Sequence, residues 1–394
     1  MGGIKVKEPQ HASFKAVAGK TGLQNGGQRL LFVTPRYAPL MGGVETHVER
    51  VARWLVEAGL DVSVLTTNPG DLPPEEKREG VHIYRVRAIP ARGDLYFAPD
   101  LYRVIHSEKW DLMHVQSYHT LVAPLAMTAA LRAGVPYVVT FHGGGHSSRL
   151  RNALRRGQHF MLKPLLQRAE RLVAVADFEI PYFSSRLGIS PEKFVLIPNG
   201  ADLPAVPAGP VPGKNGTKIA SVGRLERYKG HHRILAALPH ILQRRPDTHL
   251  WIAGTGPYEG ELRRQAERLG VAERVEIGAV PPRERERMAR ELSQVDLVVL
   301  LSEYETHPIA VIEALSLGRP ALVADTSGLG ELSRKGWARA VPLNSSPEQV
   351  ADAVLTQLEQ PLIPAEIDLF TWEDCARGLL ALYRSLWEEV ECAS

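Results

Sequence analysis

The chain has 394 residues, 44% hydrophobic and 23% charged, with a formal net charge of +3, which suits a globular protein with two cores and gives no reason to expect nucleic acid as a partner. Two cysteines, Cys375 and Cys392, without a Cys-x-x-Cys pair, read as plain thiols rather than a disulfide or metal site, so a reducing, cytoplasmic setting is expected. There is no run of about 18 apolar residues to span a membrane, and the first residues lack the apolar core of a signal peptide.

Residues 1–28 are rich in Gly, Lys and Gln, carry no period, and are expected to be a disordered tail. From Arg29 short β-rich runs alternate with helical ones. The strand candidates of a first domain, 29–204, are 29–34, 61–66, 81–85, 111–116, 136–141, 171–176 and 193–197. Between the first two, Val44, Val48, Val51, Ala52 and Leu55 fall on one face of a helix over 44–58. A run at 203–216 holds four prolines and three glycines, so a semi-rigid linker is expected over 205–216. The alternation then restarts at 218–222, 248–253, 274–277, 296–301, 320–324 and 338–341, giving a second domain, 217–371. The last stretch, 372–394, is an amphipathic helix expected to fold back on the first domain. Such alternation predicts α/β domains with parallel, doubly wound sheets. Two of them facing each other define a cleft at the carboxyl ends of their strands, with closure expected on ligand binding.

Neither Gly-x-Gly-x-x-Gly after the first strand nor Gly-x-x-x-x-Gly-Lys-Ser/Thr is present, which argues against a simple dinucleotide site or a P-loop. The densest chemistry lies in the run from Ser302 to Pro320, just past a strand candidate. Glu305 and Glu313, separated by seven residues, each offer a carboxylate to adjacent hydroxyls, one suited to a hexose and the other to a ribose diol. The plainer reading is an acidic pair complementing a helix dipole. On the loop 222–230, Arg224 and Lys229 flank a turn into the next helix, which makes an anion site; Arg227 reads as a solvated basic residue. Gly254 and Gly256 would let the backbone approach a base or phosphate, and the segment reaching Val280 would face the base edge. In the first domain Gly42 and Gly43 open a helix. They are read either as a diphosphate contact or as a tight turn needing positive φ. His142 ends a strand ahead of three glycines, placing it toward a donor sugar rather than as a packed residue. Tyr118 and His119 are placed beside the acceptor by position alone. Asp-x-Asp is absent, so no carboxylate clamp for a divalent ion is expected, and Arg224 with Lys229 would take its place.

These motifs, in order, resemble the retaining glycosyltransferases of family 4: Gly42-Gly43-Val44-Glu45, Phe141-His142-Gly143, Ile197 to Asp202, Gly223-Arg224 with Lys229-Gly230, Gly254 to Pro257, and Glu305 to Glu313. The resemblance covers roughly residues 29–390. It implies the GT-B fold, two Rossmann-like domains, and transfer of a hexose from a UDP- or GDP-sugar to a lipid-linked, saccharide or other hydroxyl acceptor. It implies that no metal or other cofactor is needed. Arg224 and Lys229 would hold the diphosphate, Glu313 the ribose and Glu305 the sugar, with His142 contacting that sugar. Asn199 and Gly200 would be structural. Attack is implied from the front face, the leaving phosphate taking the acceptor's proton. One departure is Pro308, which has no N–H; the Ile309 and Ala310 N–H groups are expected to serve the phosphate instead. A silent nucleotide-sugar-binding subunit of a glycan assembly complex, or a nucleotide-sugar epimerase on the same fold, are the alternatives.

Residues 149–171 carry seven Lys/Arg and one acid, Glu170, interleaved with apolar side chains. They are read either as a surface for the anionic inner membrane face or as a solvated basic helix packed on its own domain.

Overall fold

The computed structural model describes residues 5–6, 27–40, 42–89, 96–143, 149–201, 203–204, 206, 216–281, 283–367 and 369–393. Most of the 205–216 linker lies outside them, as do Met41, Gly144, Gly145 and Asp202 of the motifs. Two compact units form, one of residues 10–143, 153–200 and 370–394, the other of residues 1–9, 144–152 and 201–369. The stretch 1–28, expected to be disordered throughout, holds one short strand, β1 (Lys5–Val6), which pairs in parallel with Glu366–Ile367.

The first unit contains an eight-stranded sheet. Its strands are β2 (Arg29–Thr34), β3 (Asp61–Asn68), β4 (Glu75–Arg78), β5 (Val81–Arg87), β6 (Leu112–Gln116), β7 (Tyr137–Thr140), β8 (Leu172–Ala174) and β9 (Phe194–Leu196), in spatial order β4-β5-β3-β2-β6-β7-β8-β9. Neighbours are parallel except β4 and β5, which are antiparallel. The central run Leu30–Val33 is wholly buried, as expected of a parallel strand covered on both faces. One cover is the helix Gly43–Glu57, whose Val48, Val51, Ala52 and Leu55 share a core with Cys375, Leu379, Tyr383 and Leu386 of the helix Trp372–Ala393. A Cβ on Gly200 would run into the Trp372 backbone, so a side chain there would push that helix away. Cys375 is buried, Cys392 is exposed, and both are free thiols.

The second unit has a six-stranded, all-parallel sheet of β10 (Thr217–Val222), β11 (Thr248–Ala253), β12 (Val275–Gly278), β13 (Leu297–Leu300), β14 (Ala321–Ala324) and β15 (Arg339–Val341). The strand completing the pair with β1 is β16 (Glu366–Ile367). The order is β12-β11-β10-β13-β14-β15. The chain therefore winds outward from β10 on one side and from β13 on the other. Helices on either side of that reversal leave a crevice beyond the carboxyl ends of β10 and β13, the place where doubly wound sheets bind ligands.

Candidate functional site

Both loops at this crevice carry the charged motifs. β10 ends at Val222 and continues into the loop with Arg224 and Lys229; β13 ends at Leu300 and continues to Glu305. Gly230 has φ 77°, and a Cβ there would overlap the Leu301 carbonyl, so the two loops meet where glycine is required. This contact brings Lys229 Nζ to 2.7 Å and 2.8 Å from the two carboxylate oxygens of Glu305, and Ser302 Oγ donates to Oε1 at 2.8 Å. The side chains are 17% and 9% exposed. Burial pulls the Lys229 ammonium's pKa down, but the Glu305 carboxylate outweighs it and the value is raised. The carboxylate is thus held by a cation and a hydroxyl before any ligand arrives.

Arg224 is 60% exposed and pairs with Glu226 at 2.8 Å. An exposed ion pair contributes little, so Arg224 can be handed to an incoming anion at small cost. Behind it the fully buried His231 places Nδ1 2.8 Å from Ser221 Oγ and Nε2 3.2 Å from the Arg224 carbonyl. Burial lowers its pKa to about 4 against the opposing Arg224 hydrogen bond, so it stays neutral and fixes the loop. Nothing in the spacing announced this role. Arg227 is exposed, as a solvated basic turn would be.

Gly254 and Gly256 lie against the chain's own backbone. A Cβ on Gly254 would overlap the Gly223 carbonyl and one on Gly256 the Leu225 carbonyl, while Leu225 N–H donates to the Thr255 carbonyl at 2.9 Å. They let the loop after β11 lie against the Arg224 loop. Val280 is half-buried against the apolar cluster of Trp251, Val298 and Leu292.

Glu313 lies inside the helix Ile309–Ser316, whose first turn holds no acid, so the dipole-complementing reading fails. Its side chain is 7% exposed and pairs with Arg285, at the start of the helix Arg285–Ser293. Arg285 escaped sequence reasoning because its helix reads as a uniformly charged surface segment. The Ile309 N–H, expected to await a phosphate, instead donates to the His307 carbonyl at 2.9 Å. Ala310 remains in the first turn, where an α-helix leaves its N–H groups without internal partners.

In the first unit, β2, β6 and β7 end together. Neither Gly42 nor Gly43 has a positive φ, so the tight-turn reading is set aside; Gly42 is extended at φ −175°. A Cβ on Gly42 would overlap the Glu45 carboxylate, which folds over the helix start and pairs with Arg36 at 2.8 Å. His142, at φ 41°, is 8% exposed, with Nε2 2.6 Å from Gln116 Oε1 and its ring 4.7 Å from that of His47. Tyr118 does not line a pocket: it is 2% exposed, with its ring against Phe141, Phe183 and His159. An aromatic residue at a strand end was drawn into the core by the aromatic side chains around it. His119, beside it, is exposed. Among the described residues no three His, Cys, Asp or Glu side chains gather as a metal-binding group, and no helix is long and apolar enough to cross a membrane.

Two doubly wound units, one with a buried Lys–Glu pair and an arginine at its switch point, define a glycosyltransferase architecture of GT-B type. Solved structures share it. Sucrose-phosphate synthase from Thermosynechococcus elongatus matches with TM-score 0.72 and 20% identity over 92% of this chain and 100% of its own. HepE of Anabaena, solved with UDP and glucose, matches with TM-score 0.67 and 18% identity over 93% and 100%. Residues 41–204 match the profile of Glycosyltransferase Family 4 and residues 208–368 that of Glycosyl transferases group 1; the chain belongs to this glycosyltransferase family. Relatives include glycogen synthase of Mycobacterium tuberculosis (strain H37Rv), 28% identical over 84% of this chain and 86% of its own. D-inositol 3-phosphate glycosyltransferase of Segniliparus rotundus is 26% identical over 87% and 84%.

Proposed function

We propose that the chain is a retaining, metal-independent hexosyltransferase using a UDP- or GDP-sugar. The observation that carries this reading is the Lys229–Glu305 pair at the switch point, with Arg224 on the same loop and Glu313 on the following helix. Glu305 would accept from the sugar hydroxyls and Glu313 from the ribose diol. Arg224 leaves Glu226 for the diphosphate, and Lys229 adds its charge next to it. As the acceptor oxygen bonds to the anomeric carbon, the bond to the diphosphate breaks, and the leaving phosphate oxygen takes the acceptor's proton. Fixed cations favour this step because negative charge grows on the leaving group. The UDP and UDP-glucose held by HepE support a nucleotide-sugar donor. The test is nucleoside diphosphate release from UDP-glucose and from GDP-mannose, in EDTA, with pooled saccharide and lipid-linked acceptors. Release from one of them is expected. Release that needs added magnesium would end the metal-independent reading. Binding without turnover of either would favour a silent subunit.

The acceptor side is read from the helix Arg149–Arg168, which carries six Lys/Arg and no acid in its sequence. Its Leu162 and Leu166 are buried, whereas Phe160 and Met161 are 81% and 76% exposed. Adjacent apolar side chains on a wholly cationic helix fit the surface of an anionic bilayer at the cytoplasmic face, and a lipid-linked acceptor would be met there. Sedimentation with phosphatidylglycerol vesicles, but not with phosphatidylcholine vesicles, is expected. The Phe160→Ser/Met161→Ser variant should bind at least about tenfold more weakly, given the apolar area removed. Equal sedimentation of wild type and variant would contradict this.

A further inference from the structure

We infer that Ser327 is a positioning residue for Glu305, a role that deepens the reading of Glu305 as the donor-sugar carboxylate and rests on it. Ser327 opens the helix Ser327–Arg334, just after β14. Its Oγ accepts the Glu305 N–H at 2.9 Å, and the next residue, Gly328, donates its N–H to the Glu305 carbonyl at 2.9 Å. Both polar groups of the Glu305 main chain are therefore held by two consecutive residues of one helix start. Thr326 Oγ1 donates to the Ser302 carbonyl at 2.9 Å, fixing the loop three residues earlier. The approach is tight: a Cβ on Gly328 would overlap the Thr306 carbonyl.

Ser327 does this from a strained backbone. Its φ is 38°, in the left-handed region that disfavours side chains. Glycine adopts that φ without steric penalty and is accepted at helix starts, so the conformation alone gives no reason for serine. What glycine lacks is the hydroxyl. Strain of this kind persists where surrounding contacts over-determine it, and here those contacts end on the peptide of Glu305. That peptide sets where the carboxylate meets Lys229 and Ser302, so the serine hydroxyl acts on the sugar contact through Glu305.

The test uses the whole chain with Ser327→Gly, Ser327→Ala and Glu305→Gln. Calorimetric titration compares the nucleoside diphosphate with its sugar derivative, using UDP with UDP-glucose and GDP with GDP-mannose. Ser327→Gly is expected to keep or raise the Tm and to leave nucleoside diphosphate affinity unchanged. The affinity of the sugar nucleotide relative to the nucleoside diphosphate should fall about five- to tenfold, the effect of losing one hydrogen bond. Glu305→Gln should lower that same ratio, and adding Ser327→Gly to it should lower it no further. Ser327→Ala, which keeps the strain and loses the oxygen, should match Ser327→Gly in the ratio at a lower Tm. A wild-type ratio in Ser327→Gly, or equal loss of both ligands, would overturn the inference. If Glu305→Gln alone keeps the wild-type ratio, the assignment of Glu305 to the sugar fails first and the role of Ser327 falls with it.

Discussion

Lys229→Ala is expected to lower sugar transfer about 10²–10³-fold, the usual effect of removing one preplaced group that stabilises charge in a transition state. Two losses combine in this variant. The cation proposed to sit beside the diphosphate disappears, and the Glu305 carboxylate, 9% exposed, loses the ammonium that held both its oxygens. Breaking a buried pair from one side costs about 3–5 kcal/mol when burial is complete, so a lower Tm should accompany the lost activity. The double variant Lys229→Met/Glu305→Gln separates the two effects. It leaves no unpaired charge, so most of the stability should return while transfer stays lost. Kinetics of nucleoside diphosphate release together with thermal melts would read both. Recovery of activity in the double variant would show that the pair is structural only.

The second large effect is acid lability. His47, His114 and His142 are buried in the first unit. Burial lowers the pKa of His47 from 6.5 to about 4, and it holds His114 and His142 well below 6.5, with neighbouring histidines adding to the shift. The sign follows from the unfolded chain, which takes up protons below about pH 6.5 when the folded chain does not. Their stabilisation is therefore complete above pH 6.5 and is lost as the pH falls toward 4. By pH 5 a histidine with the folded pKa of His47 removes about 2 kcal/mol. His114 and His142 shift in the same direction, so their protonation adds to this loss, against a typical domain stability of about 5–15 kcal/mol. A network is at stake as well, since His114 lies 2.5 Å from Tyr383 OH and 2.7 Å from Thr140 Oγ1. A melting series from pH 7.5 to 5 should show the first unit losing Tm steeply, and His47→Gln should flatten the slope. A Tm that holds level over that range would contradict the account.

Much of this architecture was legible because parallel strands covered on both faces read as apolar runs, and Leu30–Val33 or Leu297–Leu300 can hardly be anything else. β4 was not legible. Its sequence Glu-Glu-Lys-Arg has no apolar pattern, as befits an edge strand kept from further pairing by charge. At the site, Arg224, Lys229 and Glu305 stood out as charged residues on loops that follow strands, and Glu313 by its spacing from Glu305. Their partners did not. Arg285 and His231 are joined to the site across about 28 and 7 residues respectively by packing that no local period encodes. The glycines stood out, but the carbonyls of Gly223 and Leu225 that Gly254 and Gly256 accommodate come from another loop and leave no mark in the local sequence. Tyr118 erred the other way, its place at a strand end outweighed by three aromatic rings from distant segments.

The most direct measurement is a thermal-shift panel with UDP, GDP, ADP and their sugar derivatives in EDTA, on the wild type and on Glu313→Ala. A ligand that binds the folded state alone raises its stability, by about 2.7 kcal/mol at a hundred times its Kd. The account predicts a clear shift with one nucleotide family in the absence of metal, much reduced in Glu313→Ala. The absence of any shift, or one that appears with magnesium alone, would contradict a metal-free nucleotide-sugar site built on Arg224, Lys229, Glu305 and Glu313.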